Sequence, residues 1–486
     1  MEAIPSNLED LIRTVKELYN KQNETDLEKG DEDMMETDER KPSISSTLVY
    51  VLKKYRFWPA LQVKRFFTNK DLVLLHNTYK RMDVAHFQKL YDQSRSIVLD
   101  FTAPVGENIV VTYTQPIPER MNEKDYLEVA KDSDVIEMSY EGTVVTVYNY
   151  KDVWYYGTTS CPNVDASRFF HPTKTHGMML DEVLAKITNN PVPTNKEESN
   201  TLRQLFANTV LDVNKAYAFV LVHHENKHLI NYSDVLGENY MCLVHIVTRS
   251  RETYADEDLS AMPFQSIGIM YPQKFTVATD AVQYLQNNLN TYGFIVKTQE
   301  GKYLKISRDE IIKKEEHNIG HANPWHNMLH VYIQHTPYKI NDYIKEFNVE
   351  LTLPKSSRGI DMDPTYIIHT SMVTLRDFLF KFYNDTTTFD QETKRYTINK
   401  EKDATYAPII RFHLVQLRNI QVTRHKHSPI TDKTVYIYLC HSQTIKNLRL
   451  LIKYFATEWI QGQKLNGIPY RAAESLVELN KLLSQA

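Results

Sequence analysis

"SYEGTVVTVYNYKDVWYYGTT", residues Ser139 to Thr159, crowds β-branched and aromatic side chains on both sides of Lys151-Asp152. That composition predicts two antiparallel strands joined by a tight turn. A hairpin needs no glycine at its entry, yet Gly142 stands there, directly after Tyr140 and Glu141. The tetrad Ser139-Tyr140-Glu141-Gly142 therefore asks for a backbone constraint, a chemical role, or both.

Further β-rich runs lie on either side: "SIVLDF", "NIVVTYT", "AYAFVLVHH", "YMCLVHIVT" and "YGFIVKT". Turn residues separate them, as do helical stretches such as "MMLDEVLAKI" and "ATDAVQYLQNNLNTY". The pattern predicts an α+β domain of antiparallel sheets and helices over residues 46–322. Neither GxxxxGK[ST] nor GxGxxG occurs, which disfavours P-loop and dinucleotide-binding folds. After Pro324 the periodicity turns helical in "TSMVTLRDFLFKFYND", "ATYAPIIRFHLVQLRNIQV" and "SQTIKNLRLLIKYFATEWI". A mainly helical C-terminal domain over 323–486 is expected. At the other end, Leu8, Leu11, Ile12, Val15 and Leu18 predict an amphipathic helix within 1–22, N-capped by Ser6. The acidic stretch from 23 to 45, broken by Gly30 and Pro42, reads as a disordered linker.

Composition bounds the function. Lys and Arg total 57 against 61 for Asp and Glu, so no global basic field marks an obligate nucleic-acid coat. The three cysteines, Cys161, Cys242 and Cys440, are far apart and form no CxxC pair. Neither a disulfide framework nor a thiolate zinc site is expected, and an intracellular, cytoplasmic location fits. No segment offers the ~20 apolar residues of a membrane span, and the charged N-terminus has no apolar leader core. The residues indicate no metal site.

Five segments in order carry a resemblance: "YDQSRSIVLDF" (91–101), "IEMSYEGTVVTVYNYKDVWYYGTT" (136–159), "FVLVHHENKHLI" (219–230), "YGFIVKT" (292–298) and "KYLKIS" (302–307). Together they resemble the adenylation domain of the bacteriophage T4-type RNA ligases, a branch of the lysine nucleotidyltransferases. The resemblance implies an ATP-grasp-like ligase adenylation fold, RNA as substrate, and ATP with Mg²⁺ as cofactors where the ancestral activity survives. It also implies a large DNA virus as source, hence host cytoplasm or virion.

Residue by residue, Arg95 falls on the family arginine that approaches the nucleotide phosphates, with Ser96 for its usual glycine. Glu141 and Gly142 match the acidic residue and glycine of the KxDG motif, but Ser139 stands where the lysine nucleophile belongs. Glu225, Asn226 and Lys227 match an "ENR"-like turn, while Val220 replaces the preceding glutamate. Tyr292 replaces the glutamate before Gly293. Lys305 keeps the first lysine of a "KxK" strand and Ser307 replaces the second.

The losses fall on chemistry. Nucleotidyl transfer through an amine needs a lysine of depressed pKa, and a serine hydroxyl would need an adjacent base. Magnesium needs oxygen ligands, usually one or two carboxylates, and Val220 and Tyr292 supply none. The expected protein is thus catalytically degenerate and binds RNA, a nucleotide or a protein partner. Two alternatives are an active RNA ligase that carries the covalent nucleotide on Lys131, Lys151 or Ser139, and an assembly protein that kept only the fold.

Other candidates admit two readings each. In "LKKYRFWPALQVKRFF" (52–67), Lys53, Lys54, Arg56, Lys64 and Arg65 interleave with aromatics, as single-stranded RNA binding requires. The same pattern also suits an amphipathic segment with its rings in the core. His317, His321, His326 and His330 have metal-like spacing, but Pro324 interrupts any helix through them, which favours polar contacts between domains. His223 and His224 end a strand, where alternation would send them to opposite faces. "RHKHS" (424–428) reads as a small basic loop.

Overall fold

The computed structural model describes residues 4–484 apart from 29–42, 59, 67–68, 70, 79–84, 112–117, 169–170, 172, 227, 258–261, 301, 318–322, 335–338, 348, 350, 352, 391, 394, 425–427 and 461–469. The chain divides into two compact units, Met1–Ile312 and Lys313–Ala486. The division falls after Ile312, not at the expected 322. Ile311 still packs with Val220 and Val222, so the chain leaves the sheets before Pro324 is reached.

The first unit holds strands β1 (Leu61–Arg65), β2 (Leu72–Asn77), β3 (Ile97–Asp100) and β4 (Ile109–Val111), which form one antiparallel sheet in that order. Next come β5 (Glu119–Asn122), β6 (Val135–Ser139), β7 (Thr143–Tyr150), β8 (Val153–Thr158), β9 (Lys215–His223) and β10 (Met241–Ser250). The last three are β11 (Lys274–Phe275), β12 (Gly293–Lys297) and β13 (Tyr303–Ser307). A second sheet has the order β10-β9-β7-β8 and a third β11-β6-β12-β13-β5. Every pairing is antiparallel except β13 with β5. The α+β expectation is borne out: the chain mixes helices with antiparallel sheets.

Alternation along β9 explains how the second sheet is covered. Tyr217, Phe219 and Leu221 face a core shared with the helices His176–Thr188 and Lys196–Val210. Ala216, Ala218, Val220 and Val222 face the other way. There the first sheet packs near Ala216 and Tyr148, and a separate cluster gathers around Val220 and Val222.

The N-terminal helix spans Leu8–Glu28, past the expected end at 22. An acidic composition does not by itself end a helix, since Glu and Leu are good formers. Asn7, not Ser6, caps it: its Oδ1 accepts from the Asp10 N–H at 3.0 Å. The expected linker also ends early, because Ser43 and Ser46 close a capping box on the helix Ile44–Lys54. Residues 29–42 lie outside the described residues.

In the second unit, helices Pro364–Thr386, Pro408–Arg424 and Ile445–Ile460 match the three periodic stretches. They share one apolar core with Tyr470–Ser484 and Pro324–Gln334. A hairpin, β14 (Thr387–Asp390) with β15 (Arg395–Ile398), interrupts the helices and was not anticipated. No helix among the described residues is long and apolar enough to cross a membrane.

Candidate functional site

The tetrad at 139–142 carries the chain from the third sheet into the second. Ser139 ends β6 opposite Gly293, and Thr143 opens β7 opposite Leu221. A Cβ on Gly142 would lie 2.4 Å from the Leu221 carbonyl oxygen and 2.7 Å from Val220 Cγ1. Only glycine lets the backbones pass so closely. Glu141 is buried, and its Oε2 accepts from the backbone N–H groups of Leu229 at 2.6 Å and Ile230 at 3.1 Å. Its own N–H donates to the Tyr232 hydroxyl at 2.7 Å. The acidic residue and the glycine thus have a structural task that outlives any nucleophile: one pins the loop after β9, the other clears a path beside it.

Ser139 and Lys305 come together on one sheet face. Glu137, Ile295 and Lys305 oppose one another across β6, β12 and β13, and Ser139 and Gly293 stand two residues along. The Lys305 ammonium lies 3.7 Å from the centre of the Tyr292 ring. Ser307, at the second lysine of the resemblance, is buried and donates to the Tyr292 carbonyl at 3.1 Å.

Arg95 lies just before β3 of the first sheet. It is buried near His76, whose pKa is pushed down to about 4 by desolvation and by the cations Arg95 and Lys64. Ser96 adopts a left-handed φ of 54°, the conformation that suits the glycine the resemblance expects. Its hydroxyl donates to the Thr159 carbonyl, tying β3 to the end of β8.

The two positions where the resemblance expects carboxylates meet in one cluster. Val220 and Tyr292 pack together with Val222, Ile230, Tyr232, Val244 and Tyr140. Tyr140 and Tyr232 stack with ring centres 6.3 Å apart, and burial pushes the Tyr140 phenol up to about 12. This wall is apolar and aromatic.

Glu225 and Asn226 of the turn are also engaged. The Lys174 ammonium pairs with both Glu182 and Glu225. Asn226 is buried and donates to Thr143 Oγ1 at 3.3 Å, which contacts His176 Nε2 at 3.0 Å. Burial lowers the His176 pKa to about 4, so its ring is neutral at pH 7. Lys227 lies outside the described residues. His223 Nδ1 accepts from the Glu225 N–H at 3.2 Å, which leaves Nε2 to donate to Glu182 at 2.8 Å. His223 and His224 do not part to opposite faces: β9 ends at His223, alternation ends with it, and the rings stack 4.6 Å apart. Ligand atoms of His223, His224 and Glu225 lie within 4.8 Å of one another. A cation there would have to displace the Lys174 ammonium and break one of the two hydrogen bonds of His223, since a histidine ligates through a single ring nitrogen.

Both alternative lysines carry contacts that raise their pKa. Lys131 is exposed and pairs with Glu300 at 2.6 Å, a bond that raises its pKa. Lys151 occupies the hairpin turn with φ 49° and is raised by hydrogen bonds to Tyr150 and Asp100. Raised values keep the amine protonated.

The basic segment divides between its two readings. Phe57 and Phe66 are buried, as the amphipathic alternative expects. Lys53, Lys54, Arg56, Lys64 and Arg65 reach solvent to differing degrees, and Trp58 is exposed at 37%. Lys53 Nζ approaches the Trp58 ring centre to 6.0 Å. β1, which carries Lys64 and Arg65, is a sheet edge. Of the histidine set, His326 and His330 lie on the helix Pro324–Gln334, the His317 side chain and His321 fall outside the described residues, and so do 425–427 of the basic loop. Lys174, Glu182 and His176 carry no signal in the sequence, where "TKTHG" shows no motif.

No family model matches this chain, and no curated protein does. Among solved structures, it is similar to an archaeal ATP-dependent RNA ligase, form 2, at 10% identity and a TM-score of 0.36, covering 90% of this chain and 95% of that one. Form 1 of that description gives 9%, 0.36, 89% and 95%. A putative ATP-dependent DNA ligase from Aquifex aeolicus gives 12% and 0.35, covering 62% of this chain and 71% of the other. Overlap this loose fixes neither a site nor a substrate.

Proposed function

We propose that this chain is an RNA-ligase-like protein of the nucleotidyltransferase fold that has lost covalent nucleotidyl transfer and acts by binding RNA. The supporting observation is that Val220 and Tyr292 belong to one apolar and aromatic cluster with Tyr140 and Tyr232. A divalent cation needs oxygen ligands and water there, and an apolar wall without a carboxylate at Val220 or Tyr292 leaves its desolvation cost uncompensated. Mg²⁺ therefore does not fit this cluster. Ser139 offers no amine, and Glu141 already accepts two backbone N–H bonds, so it is unsuited to serve as a base. Arg95 and Lys305 are retained as phosphate-binding residues on the resemblance alone. Three free cysteines suit a reducing, intracellular location.

RNA would meet the exposed cations Lys53, Lys54, Arg56, Lys64 and Arg65 and the exposed Trp58, where charge neutralises phosphates and the indole stacks a base. The quadruple variant K53Q/K54Q/K64Q/R65Q tests this. Fluorescence anisotropy with single-stranded RNA is expected to show about a hundredfold weaker binding than wild type. The slope of log K against log salt should fall by about 3, at roughly 0.7 for each phosphate charge no longer neutralised. Binding that ignores both salt and these substitutions would overturn the assignment.

A further inference from the structure

Within the second unit, a cavity of about 250 Å³ opens between the helices Pro324–Gln334, Ile445–Ile460 and Tyr470–Ser484. Lys446, Arg449 and Lys453 line it from one helix, where spacings of three and four residues put them on a single face. His326 lines it from another, Asn480 and Ser484 add neutral polar atoms, and Leu450 and Leu483 complete the lining. No carboxylate side chain is among these residues. Among the described residues neither Lys446 nor Lys453 has an ion-pair partner. Arg449 donates to the Leu483 carbonyl at 3.0 Å, which holds its guanidinium in place.

Like charges three and four residues apart on a helix repel one another. Here three cations gather around a concavity whose described lining holds no carboxylate side chain, and one is anchored by a backbone bond. We propose that this cavity binds a phosphate group of single-stranded RNA, an inference that rests on the RNA-binding reading above. A guanidinium fork and two mobile ammonium groups match a phosphate, whose charge and several acceptor oxygens exceed what one carboxylate presents. The half-exposed Leu450 offers an apolar surface for the attached sugar or base.

The test uses the full chain and a fluorescently labelled single-stranded RNA. K446Q/K453Q removes both ammonium groups and keeps good helix formers, while Arg449 stays to hold the end of the last helix. K381Q/K433Q, two exposed helical lysines of the same unit, controls for net charge. We expect K446Q/K453Q to bind at least tenfold more weakly, with the salt slope shallower by about 1.4 because two phosphate charges are no longer neutralised. The control should change affinity less than twofold. Equal affinity of K446Q/K453Q and wild type overturns the inference and leaves the RNA-binding reading standing. Undetectable binding by wild type overturns both. A rise in Tm with inorganic phosphate that is lost in K446Q/K453Q, at unchanged RNA affinity, assigns the cavity to free phosphate and overturns its assignment to RNA.

Discussion

Replacing Gly293 by alanine lowers the stability of the first unit by about 2–6 kcal/mol, the sum of backbone strain and overpacking at roughly 1–3 kcal/mol each. Gly293 has φ 149°, a region L side chains rarely adopt, and an added Cβ would lie 2.2 Å from the Ile306 carbonyl oxygen and 2.6 Å from Ser307 Oγ. The carbonyl belongs to β13, which pairs with β12 on one side and β5 on the other, so it has little room to retreat. Urea unfolding of the full chain, followed by far-UV circular dichroism, reads the effect as an early first transition. Gly142→Ala meets the Leu221 carbonyl without an unfavourable φ and should cost less, about 1–3 kcal/mol. Wild-type stability of Gly293→Ala would mean that β6, β12 and β13 do not meet as described.

Glu141→Ala is expected to cost about 2–4 kcal/mol, because it strands the Leu229 and Ile230 N–H groups beside a buried cluster at roughly 1–2 kcal/mol each. Glu141→Gln keeps a carbonyl oxygen in the same place and should lose about half as much. The pair separates two roles for the acidic residue of the tetrad. A carboxylate kept for metal or nucleotide would leave folding unchanged on either substitution, whereas a loop pin responds in the order alanine, glutamine, wild type. The same denaturation experiment checks it, and equal stability of all three proteins would remove the structural role.

What was legible in the sequence follows from the range of each interaction. The strand runs "SIVLDF", "TVVTVYNY" and "AYAFVLVHH" contain β3, β7 and most of β9, because β-branched and aromatic runs are a local signal. The turn Lys151-Asp152 follows with both residues at positive φ, and the three long helices of the second unit follow from periodicity. Long-range facts were not legible. Nothing near Glu141 announces that its carboxylate caps a loop 88 residues away. Nor does "TKTHG" announce that Lys174 neutralises Glu225, or that His176 joins Thr143. The parallel pairing of β5 with β13 joins segments too far apart for any local pattern to show.

Of the candidate site, neither the shared sheet of Ser139 and Lys305 nor the place of Arg95 beside another sheet shows in any local pattern. The basic segment shows why composition alone leaves two readings open: its rings divide, Phe57 and Phe66 inward and Trp58 outward, by the phase of one helix end and one edge strand. The histidine spacing likewise left the place of His326 open, which is beside three cations of the second unit.

The most direct test of the central claim is intact-protein mass spectrometry of the full chain. It follows incubation with ATP or GTP and magnesium or manganese, then denaturation to release non-covalent nucleotide. A protein whose Ser139 lacks an amine and whose Val220 and Tyr292 close an apolar wall is expected to show unchanged mass while it binds RNA in a parallel assay. A gain of one nucleoside monophosphate, traced by peptide mapping to any side chain, would contradict the account and identify a working nucleophile.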